Sequence, residues 1–320
     1  MVNVLTQSMV STFQTCRKQY DYRYNKEIVP VEESTSLGVG SAVHAGLEMW
    51  FRGATQADAV EMTENFPGLS EADQVKSSVL VSKYIDKWRG ENKIDIMFDV
   101  VDVEKVFEIP LINPDTRRKS RQWLVSGKVD GIVRMNGKLF ILEHKTSSSV
   151  SDEYIMRISI DRQIMLYARA IEMVMKEPVV GAIYDVLIKS GLKMRKGETD
   201  EEFAMRRAEL IAKSKTGTTT AKQKTAETYD EFKARVSDDI NQDNFFRRIV
   251  TFDPLDIENQ MRELWGIARD IRSGMIYKST GQCCVSGRNC PYLSLCVNGG
   301  DITKCQDEYK YCKAHSELDV

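Results

Sequence analysis

The chain has 320 residues, with 45 lysines and arginines against 47 aspartates and glutamates, for a net charge of −2. That length holds one large domain or two ordinary ones, and 42% hydrophobic with 29% charged residues excludes a disordered or collagen-like chain. The charge balance excludes a histone-like or polybasic membrane-surface protein, but not a nucleic-acid enzyme, since one groove can be basic on a neutral chain.

In chain order, the first helix is expected over residues 8–24. Ser8 stands as its N-cap, and Met9, Phe13, Cys16, Tyr20 and Tyr24 form one face. A loop from Pro30 to Leu37 follows, then a helix after Gly38 that buries Val39, Val43, Leu47 and Trp50 and presents His44 at its edge. Helical signal returns over 70–88. The period then changes to that of strands over 99–112, 122–135 and 139–144, the last two joined by Asn136-Gly137, the strongest hairpin signal in the chain. A helix over 160–175 and a buried strand over 179–188 come next. The polar stretch 192–248 reads as an insertion with two helices and a lysine- and threonine-rich loop. A strand over 245–252, a helix over 255–272 and a cysteine-rich tail complete the chain. Strands interleaved with helices predict an α/β or α+β core with a helical N-terminal part.

The hairpin carries the chemistry. A two-residue type I′ turn at Asn136-Gly137 pairs Met135 with Lys138, Ile132 with Ile141 and Asp130 with Glu143. Directly opposed residues share a sheet face about 5 Å apart. Lys145 shares that face by alternation and His144 points to the other. Two carboxylates opposite each other repel, and a hard divalent cation such as Mg²⁺ or Mn²⁺ offsets that. A solvated hairpin face with simple lysine–carboxylate pairing is the competing reading of these residues alone.

No stretch approaches the roughly 18 apolar residues of a membrane span, and the first residues lack a secretory signal. The expectation is cytoplasmic, in a bacterium, an archaeon or a phage-infected host. In that reducing compartment clustered cysteines hold metal more often than disulfides. Six of the seven cysteines fall after residue 282. Cys284, Cys290 and Cys296 are evenly spaced, a poor zinc signature. Iron–sulfur clusters take four thiolates. Cys305, Cys312 and His315 form a looser group, read as surface thiols.

Several segments together resemble the PD-(D/E)XK nuclease superfamily, nearest its RecB-like exonuclease branch with CRISPR-associated iron–sulfur and phage-encoded members. They are the opening helix with Ser11, Phe13 and Cys16; Gly38-Val-Gly-Ser-Ala-Val-His44; Gly127-Lys-Val-Asp130 with Phe140-Ile-Leu-Glu143-His-Lys145; Gln163 with Tyr167; and Cys284, Cys290 and Cys296. Val129 stands where the motif has its eponymous proline.

The resemblance implies a single nuclease domain over 1–320. A restriction-endonuclease-like central mixed sheet would be flanked by helices, with a helical part over 1–95, the catalytic sheet and helix over 96–191, the insertion over 192–248 and a cysteine-clamped tail over 249–320. It implies that His44, Asp130, Glu143 and the backbone carbonyl of His144 hold Mg²⁺ or Mn²⁺, that Lys145 positions the hydrolytic water, and that Gln163 and Tyr167 orient the site or touch DNA. It also implies a [4Fe–4S] cluster on Cys16, Cys284, Cys290 and Cys296, with Cys283 a rival to Cys284 and zinc the second choice of metal. The expected activity is metal-dependent DNA exonucleolysis, end-directed and on single strands, in recombination, repair or phage DNA processing, alongside partner proteins of those pathways. The alternative is a non-enzymatic DNA-binding or assembly protein on a nuclease fold.

Overall fold

The chain enters the fold through a short strand, β1 (Asn3–Leu5), after which Thr6 caps helix α1 (Gln7–Thr15) by accepting the N–H of Met9 at 3.2 Å. The computed structural model describes residues 3–31, 35–91, 93–285, 288–315 and 318. Ser8, the expected cap, lies inside the helix. The helix expected to run unbroken to residue 24 stops at Cys16, whose extended backbone separates α1 from α2 (Arg17–Tyr20). A π-helical turn over Asp21–Asn25 follows. Tyr20 and Tyr24 then pack on one core and Tyr22 on another. All three are buried, as is Trp50.

After β2 (Ile28–Pro30), helix α3 (Thr35–Phe51) begins before Gly38, so the loop expected up to residue 37 is shorter; residues 32–34 lie outside those described. Helix α4 (Gln56–Glu64) was not anticipated and is set by a capping box between Thr55 and Asp58. Ser70 caps α5 (Glu71–Trp88). The strands β3 (Asp99–Ile112), β4 (Lys119–Met135) and β5 (Lys138–Ser147) follow. Asn136 and Gly137 take φ of 50° and 76°, the type I′ turn expected. Then come α6 (Asp152–Ile158), α7 (Arg162–Met175), β6 (Val179–Ile188), α8 (Asp200–Lys213), α9 (Tyr229–Asp239), β7 (Phe245–Thr251) and α10 (Pro254–Arg272). The tail holds β8 (Cys284–Val285), β9 (Arg288–Asn289), α11 (Leu293–Val297) and β10 (Tyr309–Tyr311), the last paired antiparallel with β2.

The central sheet runs β1-β4-β5-β6-β7, with β3 pairing the other edge of β4. Along β4 the β1 partners are residues 123–125 and the β5 partners residues 131–135. Residues 126–130 therefore lie in a fork between two neighbouring strands. The pair β5–β6 is parallel and the pair β6–β7 antiparallel, which makes the sheet mixed.

Alternation along β5 divides its side chains between two helical layers. Leu139 and Ile141 face the core built with α1, α7 and α10; Phe140 and Leu142 face the one built with α3, α5 and α9. Fully burying a Leu, Ile or Phe contributes about 1.5–3 kcal/mol, so these stripes fix which way β5 faces. The mixed sheet flanked by helices is the α/β architecture expected from the sequence.

The polar stretch 192–248 is less detached than expected. The α9 residues Phe232 and Val236 are fully buried against α5, and Lys83 donates to the carbonyls of Ser237 and Ile240. Helix α8 alone buries nothing. Cys305, expected at the surface, is 6% exposed among Tyr22, Ile28, Tyr292 and Tyr309. The β2–β10 pairing brings tail and N-terminal tyrosines together there.

Candidate active site

Asp130 lies in the fork of β4. Pairing with β5 ends at Gly131–Leu142, one pair short of the expected Asp130–Glu143 match. The Asp130 carboxylate instead accepts the backbone N–H of His144 at 2.8 Å, filling the place of the missing ladder bond. Its other oxygen is 3.4 Å from Nδ1 of His44, which reaches in from α3. Burial works against the charged Asp130, but His44 and His144 outweigh it and hold the carboxyl well below its ordinary range. Reciprocally, the Asp130 carboxylate pushes His44 up to about 9 against its burial.

Glu143 and Lys145 lie on the face of β5 opposite His144, as alternation requires. Glu143 is 1% exposed; one carboxylate oxygen pairs with the Lys145 ammonium and the other, Oε2, has no hydrogen-bond partner. Burial, with Asp130 nearby, raises Glu143 to about 7 despite Lys145. Burial disfavours the Lys145 ammonium, but Glu143 and Asp130 outweigh it and hold the lysine charged.

Helix α7 supplies the next links. Lys145 donates to Oε1 of Gln163 at 3.1 Å, and Gln163 Nε2 donates to the Tyr167 hydroxyl at 3.2 Å. Asp161 fixes the start of that helix by accepting the N–H of Gln163, and its other oxygen accepts the Tyr184 hydroxyl at 2.9 Å. Tyr167 stands edge-on to Phe107 at 5.4 Å between centroids. Gly127 makes that packing possible: a Cβ there would lie 2.8 Å from the Phe107 ring and 2.9 Å from Tyr167. An open cleft of about 670 Å³ runs from Lys145 past Gln163, Tyr167 and Tyr184 to Arg157 and to Ser8 and Ser11 of α1.

Two groups of residues were missed from the sequence. Glu104 of β3 is half-buried, pairs with Lys128, and lies with His44 and Asp130 in a set whose ligand atoms are all within 4.8 Å of one another. Its signal was hidden in a strand dense with charges. Behind His144 runs a buried polar network. The Nε2 of His144 is 3.3 Å from the Tyr84 hydroxyl, which donates to Asp185 at 2.6 Å. Arg247 donates to Asp185 and Asp95 and lies over the Trp88 ring. Here the sequence did carry a sign: Asp185 is the one charged residue of β6.

At the C-terminal end of α1, Cys16, Cys283, Cys290 and Cys296 line one small cavity, with Tyr22, Lys278 and Ser279. Cys284 is not among its lining residues; it is exposed on β8, while its neighbour Cys283 lines the cavity. Burial pushes the Cys16 thiol up, but backbone N–H groups of Ser279, Gln19 and Lys18 outweigh this and its pKa falls.

A family model described as the PD-(D/E)XK nuclease superfamily matches residues 4–297, nearly the whole chain and the entire site above. The chain belongs to the PD-(D/E)XK nuclease superfamily. Among solved structures, a "Putative exonuclease" from Eubacterium rectale is similar at 12% identity and a TM-score of 0.45, covering 99% of this chain and 92% of that one. The protein SSO0001 is similar at 12% identity and a TM-score of 0.30, covering 85% and 87%. No curated protein matches the chain. The family assignment rests on the sequence match, not on these structural likenesses. Among the described residues no helix is long and apolar enough to cross a membrane.

Proposed function

We propose that this nuclease is a Mg²⁺- or Mn²⁺-dependent DNA exonuclease of the RecB-like branch, acting from ends on single strands, with a [4Fe–4S] cluster clamping its tail. The observation that carries the reading is the convergence of Asp130, Glu143, Lys145 and His44, with the Oε2 of Glu143 buried and without a partner. A degenerate, non-catalytic relative has no reason to keep that costly arrangement.

The donor set fits a hard divalent cation: carboxylates of Asp130 and Glu143, the imidazole of His44 and the backbone carbonyl of His144. A bound Mg²⁺ or Mn²⁺ supplies Lewis acidity, polarising a phosphoryl oxygen and acidifying water. The rest is the work of the chain. Lys145, kept cationic by Glu143, donates hydrogen bonds: it orients a water and stabilises negative charge at phosphorus, and it is not the base. Gln163 and Tyr167 act through Lys145 and are positioning residues. Arg157 and the α1 serines give the cleft groups that suit a phosphodiester backbone.

For the cluster, four thiols around one cavity match the ligand count of an iron–sulfur centre. Donors already aim at two of them: the Ser279 N–H lies 3.4 Å from Cys16 Sγ and the Tyr22 hydroxyl 4.0 Å from Cys296 Sγ. Cys283 takes the fourth place in this reading, with zinc as the second choice of metal. The role in recombination, repair or phage DNA processing follows from the RecB-like resemblance.

The test is release of nucleotides from end-labelled linear single strands with each metal. The expected result is degradation that a chelator stops. A chain that binds the DNA but releases nothing with either metal contradicts the proposal.

A further inference from the structure

One row of residues crosses the sheet from the fork to the far strand. Asp130 of β4 accepts the N–H of His144, His144 of β5 pairs with Asp185 of β6, and Asp185 pairs with Arg247 of β7. Tyr84 joins this row from α5. Its single hydroxyl hydrogen goes to Asp185 at 2.6 Å, so its oxygen accepts, from Arg247 at 3.2 Å and from Nε2–H of His144 at 3.3 Å. The other ring nitrogen of His144, Nδ1, lies 3.5 Å from the Asp130 carboxylate. The imidazole is thus held at both ends, with the Phe51 ring 5.3 Å away between centroids.

The same clamp aims the backbone. A strand residue turns its N–H and its carbonyl to the same side. The N–H of His144 points to Asp130, so its carbonyl also faces the fork, past Leu142, where pairing with β4 ends. No ladder bond to β4 fixes that carbonyl, whereas the ring is fixed. Packing alone does not call for the Tyr84 hydroxyl, since Phe51, Phe98 and Phe245 fill the same buried layer. Nor does stability call for the ions behind it, because buried ion networks add little over apolar residues of similar volume.

We propose that Tyr84 is a positioning residue for the metal centre: held by Asp185 and Arg247, it fixes the His144 ring and with it the direction of the His144 carbonyl in the fork. This rests on the metal-dependent reading above and adds to it a buried residue on the opposite face of the sheet from Glu143 and Lys145.

The test is Mn²⁺ titration of the full-length, cluster-loaded protein by electron paramagnetic resonance, on Tyr84→Phe and His144→Phe. Both variants keep an aromatic ring and the backbone carbonyl. Each should raise the Mn²⁺ dissociation constant roughly tenfold, and the double variant no further, because Tyr84 acts through the His144 ring. In steady-state kinetics the loss should fall on kcat, with KM for a labelled strand unchanged. Ile85→Val, beside Tyr84 on α5, should lower the melting temperature and leave Mn²⁺ affinity as it is. Wild-type affinity in Tyr84→Phe and His144→Phe, additive losses in the double variant, or an equal loss in Ile85→Val each overturn the proposal and leave the metal-dependent reading standing. A wild-type chain that binds no Mn²⁺ overturns both.

Discussion

The carboxylate of Asp130 accepts the backbone N–H of His144 at 2.8 Å, at the point where β4 and β5 stop pairing. One side chain thus does the work of a ladder bond and turns its other oxygen to His44. The fork between β1 and β5 leaves room for this, and it is why the acid lies at the end of a hairpin whose register is otherwise regular.

That double role separates two substitutions. Asp130→Asn keeps an oxygen for the His144 N–H, whereas Asp130→Ala leaves a buried donor unpaired at a cost of about 1–3 kcal/mol. Both should lose nuclease activity, but only Asp130→Ala should shift the urea midpoint substantially. Equal stability loss in the two variants contradicts the bond's structural role.

The pH dependence of the metal-free protein follows from the raised groups. His44 is near 9 in the fold against an ordinary 6.5, so its contribution to stability is complete below 6.5 and is lost as pH rises through 9. Glu143, near 7 against 4.5, behaves alike at lower pH: its contribution is complete below 4.5 and lost as pH rises through 7. Metal affinity runs the other way, increasing with pH as both groups release protons to become ligands. Melting temperatures in chelator should therefore fall between about pH 4.5 and pH 9, and Asp130→Asn should flatten the upper part of that fall. A wild-type profile as flat as the variant's contradicts the His44–Asp130 pairing.

Lys145→Met should cut turnover by roughly 10²–10³-fold, as loss of a charge aimed at the transition state does. Gln163→Ala should cost less, about tenfold in kcat with KM little changed, since it only positions Lys145. Steady-state kinetics on a short labelled strand separates the two. Equal losses, or a Gln163→Ala effect confined to KM, contradict the positioning role.

Arg247 is the only cation in contact with Asp95 and Asp185 in the buried network behind His144, among the described residues. Arg247→Met should destabilise the fold by about 3–5 kcal/mol, the usual cost of stranding buried charge, measured by chemical denaturation. A loss below about 1 kcal/mol contradicts the network's contribution.

Cys283→Ser should abolish iron content and the brown colour expected of Fe–S ligation, and Cys284→Ser should keep both. The reverse result restores Cys284 to the cluster. Stoichiometric zinc without iron in the wild-type protein overturns the cluster itself.

The hairpin was legible because its turn type, register and alternation are all local rules; Met135–Lys138 and Ile132–Ile141 follow from Asn136-Gly137 alone. What local rules do not hold is where pairing stops, and that moved Asp130 from facing Glu143 to capping His144. Cys16 was placed on a continuous helix because Phe13 and Tyr20 keep its spacing, yet it breaks the helix as it turns toward the tail cavity. Cys283 and Cys284 are adjacent on the chain, and only the fold of β8 tells which faces the other cysteines. Glu104 depends on a backbone conformation that alternation cannot foresee, and Arg247 depends on a strand pairing brought from far along the chain.

The most direct test of the account compares closed circles and linear single strands, each internally labelled, in wild-type and Asp130→Asn protein with Mg²⁺ or Mn²⁺. The account predicts metal-dependent release of short products from the linear strands, intact circles, and no products from Asp130→Asn. Release that persists in Asp130→Asn, or wild-type protein that binds the strands and leaves them whole, would contradict it.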